Sequence, residues 1–129
     1  MVHREFALVG WTVERLAFDY ETSLLLLPAE ASQQGRSCIV VLMGAFQLLQ
    51  PNGTLLSMAA GPPFGHAGAM LELHRMTIDR FAASEEGNLE ILLSEGAAIR
   101  ASRDRQFESW ATHGEVAMLC GPGDGPPWS

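Results

Sequence analysis

The sequence predicts a mainly β protein of the α+β class, in which two related antiparallel β-meanders and one short helix form a curved sheet, a sandwich or a partly open barrel. Runs of β-branched, aromatic and aliphatic residues recur along the chain with turn residues between them. One short stretch has helical periodicity, and a group of six residues near the N-terminus recurs in similar form in the second half. With 129 residues, 47% of them hydrophobic, the chain has the size of one compact domain.

The first half of the chain is predicted as an antiparallel meander. Its strands are expected at residues 6–9, 11–20, 23–27, 38–49 and 54–57. Residues 31–35 form a polar loop, and Pro51-Asn52-Gly53 predicts a hairpin turn because Asn and Gly tolerate positive φ. The segment 59–65 contains paired prolines and several glycines, so the sheet is expected to end there.

A short amphipathic helix is predicted at residues 66–75, where apolar side chains recur at three- and four-residue steps. Strands then return at 76–83, 89–93, 97–103, 107–112 and 115–120, with turns at 84–88 and 94–96. The tail, 121–129, is rich in Gly and Pro, and we expect it to be irregular.

Residues 12–17 (TVERLA) and 77–82 (TIDRFA) match in chemical character at every position. At the same offset of 65, Leu24, Leu26 and Leu27 fall on Leu89, Ile91 and Leu92. We therefore predict one domain, 1–129, with an internal duplication of about 5–58 and 70–120 and the helix as connector. The halves either cover each other's apolar sheet faces or enclose a crevice along a pseudo-twofold axis.

Such a crevice would be lined by Glu14, Arg15, Asp79 and Arg80. Because successive strand residues point to opposite faces of a sheet, we expect at most one member of each acid–arginine pair to face it.

Composition excludes several classes of protein. The eight basic residues are all Arg and oppose 15 acidic residues, so the net charge of −7 disfavours nucleic-acid binding. No apolar run is long enough for a membrane span, and the N-terminus lacks a secretory pattern, so we expect a cytoplasmic protein. Two cysteines are too few for a disulfide framework, and Cys38, in an apolar run, is expected to be buried and reduced.

Two segments, 24–27 and 39–43, are apolar at successive positions, which indicates strands covered on both faces. One short helix cannot cover a whole sheet face. The cover comes from sheet curvature, from the second meander or from another copy of the chain. We therefore expect a homodimer or a bound protein partner.

Common catalytic motifs are missing: the sequence has no Gly-x-Ser-x-Gly, no phosphate-binding loop, no Cys-x-x-Cys and no lysine for Schiff-base chemistry. His66, Glu72 and His74 resemble metal ligands in type, but His66 and His74 are roughly 12 Å apart along a helix. We predict no metal and no cofactor, and structural roles for these histidines. The weak catalytic candidates are Glu14, Asp19, Tyr20, His74 and Arg80.

Four residues are candidates for ligand binding, each with a structural alternative. Arg100 and Arg103 lie close to Arg105 and suit bidentate contacts to carboxylate or phosphate, or else protect a strand edge. Trp11 and Trp110 belong either to the core or to a stacking surface for a ligand.

Several short motifs together resemble a bacterial family of small domains of unknown function. They occur at 8–16, 19–20, 24–27, 44–46, 51–53, 107–110 and 120–123, and so cover nearly the whole chain. Members of that family continue into a further short strand ending in Trp, which residues 123–128 replace here. The resemblance implies no activity, cofactor or catalytic residue.

Two hypotheses about function follow. The first is a non-catalytic cytoplasmic binding or interaction module, of an accessory or immunity type, that occupies a partner through an acidic face. The second is a small cofactor-free enzyme, an isomerase or cyclase, with an apolar barrel or an intersubunit pocket for a small apolar ligand. Neither involves nucleic acid or a membrane.

Overall fold

The computed structural model describes residues 3–30, 33, 35–65 and 67–128, and within these ranges the chain forms eleven strands and one short α-helix. A single turn of 3-10 helix lies at Ser94–Gly96. In chain order the elements are β1 (His3–Glu5), β2 (Thr12–Phe18), β3 (Thr22–Leu27), β4 (Cys38–Leu42), β5 (Ala45–Leu49), β6 (Leu55–Ala59), α1 (Ala67–Leu71), β7 (Ile78–Ser84), β8 (Leu89–Leu93), β9 (Ala98–Ala101), β10 (Trp110–Gly114) and β11 (Met118–Cys120).

The strands form two antiparallel sheets. One has six strands in the order β1-β7-β8-β9-β5-β6, and the other has five in the order β11-β10-β4-β3-β2. Buried side chains of both sheets form one core cluster. Within the described residues the sheets do not close into a barrel. The predicted fold class, mainly antiparallel β with one short helix, is therefore confirmed.

Each half of the chain contributes to both sheets. The β2-β3-β4 meander belongs to the five-stranded sheet, while β7-β8-β9 belongs to the six-stranded sheet. Hairpin β5–β6 then pairs with β9 of the other half, and hairpin β10–β11 pairs with β4. The two halves thus exchange hairpins, so neither sheet is built from one half alone.

The two meanders match in register at their first strands. A β-bulge lies between Val13 and Arg15 in β2 and between Ile78 and Arg80 in β7, again 65 residues apart. A bridge between Thr12 and Thr77 joins the two segments. Beside it, the N–H of Val13 donates to the carbonyl of Met76, and the N–H of Ile78 donates to that of Trp11. The two matching segments therefore meet through paired backbones.

The offset of 65 does not continue into the next strand. Val13 pairs with Leu26, whereas Ile78 pairs with Leu93, so β3 corresponds to β8 with an offset of 67. The predicted match of Leu24 with Leu89 is therefore wrong by two residues, because the connection after β7 is two residues longer. A shift of two preserves the inward and outward pattern of a strand, which is why the sequence match still looked regular.

Two predicted strands are wrong. The run 38–49 is not one strand but β4 and β5, which separate at Met43-Gly44 and enter different sheets. Both N–H groups of Met43 and Gly44 donate to the carbonyl of Ser109, at 2.9 and 3.1 Å, which fixes the crossing point. The first strand is β1 rather than 6–9. Leu8 lies in the irregular segment after β1 and is fully buried.

The predicted helix at 66–75 is shorter than expected. It spans Ala67–Leu71, and His66 lies outside the described residues. The chain leaves the helix because the N–H of Arg75 donates to the carbonyl of Val13, at 2.8 Å, with Arg75 at φ +71°. The other strands begin and end within three residues of the predicted bounds, and the 51–53 turn closes the β5–β6 hairpin as predicted.

The C-terminal tail forms no helix or strand between residues 121 and 128, yet it is attached to the sheets. Arg103 donates from Nη1 to the carbonyl of Gly123, at 2.8 Å, and from Nη2 to that of Gly125. Leu119 donates to the carbonyl of Pro127 at 3.1 Å. Trp128 packs against the core, with the guanidinium of Arg4 4.8 Å from its ring centroid.

Candidate functional site

The catalytic candidates named from the sequence do not meet in one place. His74 and Glu14 are neighbours, but His74 Nε2 donates to the backbone carbonyl of Glu14, at 3.1 Å, and not to its carboxylate. Asp19 and Tyr20 lie on the exposed β2–β3 turn, where Tyr20 is 84% exposed. Arg80 belongs to the six-stranded sheet, where it pairs with acids. Their catalytic roles stay predictions.

The predicted crevice depends on a strand alternation that the β-bulges interrupt. A bulge adds one residue to a strand, so Glu14 and Arg15 are both exposed. Asp79 is also exposed and Arg80 is half-buried. The expectation that at most one member of each pair faces a crevice between the halves stays a prediction. None of these four side chains lines the grooves described below.

Both tryptophan candidates lie in the core. Trp110 is fully buried and Trp11 is 4% exposed. The indole N–H of Trp110 donates to the carbonyl of Gly87, at 2.9 Å, in the β7–β8 turn. This bond satisfies the one polar atom of a large buried side chain and ties β10 of one sheet to a turn of the other.

The two arginine candidates are engaged within the chain. Arg100 Nε lies 3.1 Å from Glu90 Oε2, and Glu90 Oε1 accepts from Arg80 Nη1 at 2.9 Å. Arg80 Nε also contacts Glu5 Oε1 at 2.9 Å, so the four side chains form one row across the outer face of the six-stranded sheet. Arg103, by contrast, is bound to the tail carbonyls. A groove of about 300 Å³, lined in part by Gln47, Arg100 and Ser102, adjoins the charged row.

The two cysteines are free and buried, as expected for Cys38. Burial raises the pKa of the Cys38 thiol to about 11, so the thiol is neutral at physiological pH and is not a nucleophile. Within the described residues, no three His, Cys, Asp or Glu side chains are grouped as metal ligands would be.

The outer face of the five-stranded sheet is apolar. Its side chains alternate with the core residues of the same strands and therefore point away from the core. Ile39 is 39% exposed and Leu119 52% exposed. We call this surface the apolar face, and it consists of Leu25, Leu27, Ile39, Val41, Ala111 and Leu119.

Few polar groups interrupt the apolar face. Cross-strand pairing places Ser23 beside Val41 and His113 beside Ile39, and Arg15 lies at the β2 edge opposite Leu25. The two sheets thus present different outer surfaces: a row of paired charges on the six-stranded sheet and a nearly uncharged surface on the five-stranded sheet. The sequence signal for the apolar face was the run of apolar residues at successive positions in 24–27 and 39–43.

A pocket of about 230 Å³ opens between the two sheets beside α1. Among the residues that the structure describes, no charged side chain lines it. The rings of Phe18 and Phe64 both line it and pack against each other, with centroids 5.6 Å apart and planes inclined by 59°. Phe46, Met58 and Met70, each at most 5% exposed, lie deeper. Sequence reasoning missed this pocket because 59–65 looked only like a break in the sheet, and no local pattern shows which strands such a loop will face.

Comparisons with known proteins add a family but no activity. In the part of the chain that the structure describes, no helix has the length and apolarity needed to cross a membrane. No curated protein and no solved structure matches the chain. A bacterial origin stays a prediction. Residues 5–125 match the model of a family of unknown function, DUF6188, which confirms the resemblance seen in the sequence, and the chain belongs to that family.

Proposed function

We propose that this protein is a non-catalytic interaction module that associates with a second copy of itself through the apolar face. The observation that carries the proposal is the uncovered surface of the five-stranded sheet, where Ile39 and Leu119 are exposed beside half-buried Leu25, Leu27 and Val41. A continuous apolar surface of this kind is typical of an interaction site. Burial of each exposed aliphatic side chain against a partner lowers the free energy of the complex.

The size of the apolar face suits a reversible dimer. The whole outer surface of the five-stranded sheet, which the apolar face shares with the outward side chains of β2, covers roughly 400 Å² in projection for five strands about 4.8 Å apart and about five residues long. The accessible surface of a pleated face exceeds its projection, so two copies bury on the order of 1,000 Å², where specific interfaces begin. A stable obligate dimer would bury considerably more.

Charge also favours a second copy at this face. Each chain carries a net charge of −7, so two copies repel each other over most of their surfaces. On the apolar face the charged or titratable groups are Arg15 and His113, and Glu14 lies at its edge. A twofold interface brings a surface against itself, and a nearly uncharged surface meets that condition without juxtaposing like charges.

An accessory or immunity-type role in the cytoplasm is the finer part of this proposal. Two free, buried thiols suit a reducing compartment. The cofactor-free enzyme is the alternative, but its five candidate residues share no groove.

The proposal is tested by sedimentation equilibrium over protein concentrations from micromolar to millimolar. We expect the wild-type chain to dimerise reversibly and Leu119→Glu to weaken dimerisation at least tenfold, because a buried carboxylate would lose its hydration. Leu55→Glu is the matched control, since Leu55 is also 52% exposed but lies on β6 of the other sheet. A wild-type chain that is monomeric throughout, or equal effects of both variants, would contradict the proposal.

A further inference from the structure

The pocket beside α1 is bordered by Phe46, and strand pairing gives this residue a counterpart in the other half of the chain. Phe46 of β5 pairs with Ala101 of β9 and with Met58 of β6. Trp110 of β10 pairs in the same way with Leu42 of β4 and with Cys120 of β11. The exchanged hairpins therefore place Phe46 and Trp110 at equivalent positions of the two halves.

The two equivalent positions differ by one ring. At the second, the fused ring of Trp110 is fully buried and its N–H donates to Gly87 in the β7–β8 turn. A separate groove of about 410 Å³, lined in part by Glu85, Arg103 and Asp124, opens beside that turn. At the first, the smaller ring of Phe46 leaves a pocket of about 230 Å³ between the sheets. The chain itself thus buries a fused aromatic ring at the position equivalent to that of Phe46.

The volume and lining of the pocket agree with such an occupant. An apolar cavity of about 150 Å³ is enough to hold benzene, so 230 Å³ admits a larger, fused ring. A pair of phenyl rings in contact with each other lines one part of the pocket, and two flexible methionine side chains, Met58 and Met70, line another. The described residues that line the pocket are all uncharged, so a charged ligand would lose its hydration without a compensating partner among them.

The loop that forms one wall is held in an open arrangement by the rest of the fold. Thr22 Oγ1 donates to the carbonyl of Ala60, at 2.8 Å, and this bond is buried. The N–H of Ala67 donates to the carbonyl of Phe64, at 3.0 Å. Phe64 has φ +53°, a conformation that costs an L-residue free energy and is often found at ligand sites.

We infer that this pocket binds a small molecule carrying a flat, uncharged fused-ring aromatic group. The pocket shares no lining residue with the apolar face, so the inference does not depend on dimerisation. Ligand binding extends the role of the protein from an interaction module to one that also recognises a small apolar compound.

Indole is the probe, and the readout is NMR of the protein labelled with ¹³C at its methionine methyl groups. We expect saturable shifts of the Met58 and Met70 signals with a Kd of about 1 mM or tighter, as befits a ligand of so few atoms. Met118, which lies in β11 of the other hairpin, should not shift. Indole-3-carboxylate, which adds a charge to the same ring, should bind at least tenfold more weakly.

The decisive variant is Phe46→Trp, which places an indole ring at the position that Trp110 occupies in the other half and so directs it into the pocket. We expect it to abolish indole binding, whereas Phe107→Trp, at a position 67% exposed, should leave the Kd unchanged. Because Phe46 is buried, its substitution also disturbs the core. Ala67 is half-buried at the rim, so Ala67→Trp is a second variant that blocks the same pocket with less change to core packing.

Three results would overturn the inference. The first is the absence of Met58 and Met70 shifts at the solubility limit of indole. The second is unchanged indole affinity in a folded Phe46→Trp or Ala67→Trp variant. The third is tighter binding of N-acetyltryptophanamide than of indole, which would assign the pocket to a tryptophan side chain of a partner protein.

Discussion

Gly114 ends β10 with φ +100°, a left-handed conformation that side chains other than glycine rarely adopt. A Cβ atom at this position would overlap the backbone carbonyl of Ser37, which accepts from the N–H of Glu115 at 2.8 Å. The Ser37 backbone cannot move aside without losing that bond. Glycine at this position therefore satisfies two requirements, one of conformation and one of space.

We expect Gly114→Ala to lower the free energy of unfolding by about 3 kcal/mol or more. Gly53→Ala is the control, because Gly53 has a similar φ of +89° but no atom lies within 4 Å of the added Cβ. That change should cost only about 1 kcal/mol, from conformation alone. Urea denaturation of the three proteins measures both values. Equal losses for the two variants would show that the contact with Ser37 has no effect.

Single residues differed in how well their positions could be predicted. Burial of Cys38 followed from its apolar neighbours, and the structure gives it no solvent exposure. Glu14 and Arg15 could not be placed, because a bulge is decided by pairing with another strand and has no reliable local signature. The strained φ of Phe64 was equally hidden, since it depends on the anchoring of both ends of its loop.

At the level of elements, β1 is short, fully exposed and attached to one side of β7. The guanidinium of Arg80 joins three strands, since it contacts Glu5 of β1 and Glu90 of β8 from its place in β7. Exposed ion pairs contribute little to global stability, but a short edge strand has few other contacts to hold it. Arg80 is thus expected to control the order of β1 more than the stability of the fold.

Arg80→Ala should lower the free energy of unfolding by less than about 1 kcal/mol while accelerating amide exchange in β1. Arg15→Ala is the matched control, because Arg15 occupies the equivalent bulge of β2 and has no ion pair with any described residue. We expect no change of exchange in β1 for that variant. Protection of β1 that is identical in both variants would contradict the assignment.

Elements were predicted well where local chemistry alone decides them. The β5–β6 turn at Asn52-Gly53 depends on residues that accept positive φ, and it formed as expected. The helix ended early because Arg75 bonds to β2, a contact made across more than sixty residues. The prediction of one strand at 38–49 was wrong for a similar reason. The chain changes sheets at Gly44, where its backbone N–H donates to the carbonyl of Ser109, and the hydrophobicity of the sequence does not change at that point.

At the scale of the whole molecule, the exchange of hairpins means that each half lacks part of its own sheet. We propose that the halves arose by duplication, and the matching bulges and the equivalent registers of Phe46 and Trp110 support this. In the intact chain, β5–β6 completes the sheet begun by β7-β8-β9, and β10–β11 completes the other. The single core therefore depends on both halves at once.

It follows that residues 1–65 alone should not fold as a monomer, because the partners of β5 and β4 in the second half are missing. Mixing that fragment with residues 66–129 should restore the two-sheet structure. Dispersion of amide signals in NMR spectra, together with sedimentation, distinguishes these states. A folded monomer of residues 1–65 would show that the exchanged hairpins are not needed, whereas a folded dimer would agree with exchange between copies.

The sequence by itself determined the strand-forming segments, the main turns, the burial of Cys38 and the excess of apolar side chains in 24–27 and 39–43. These properties depend on local conformational preference and on the alternation of side chains along a strand. Only the tertiary structure decided which sheet each strand joins, which apolar side chains remain outside, and that Phe46 borders a pocket while Trp110, at the equivalent register, is fully buried. Strand pairing over long separations is set by how whole faces pack together, and no local pattern along the chain carries that information.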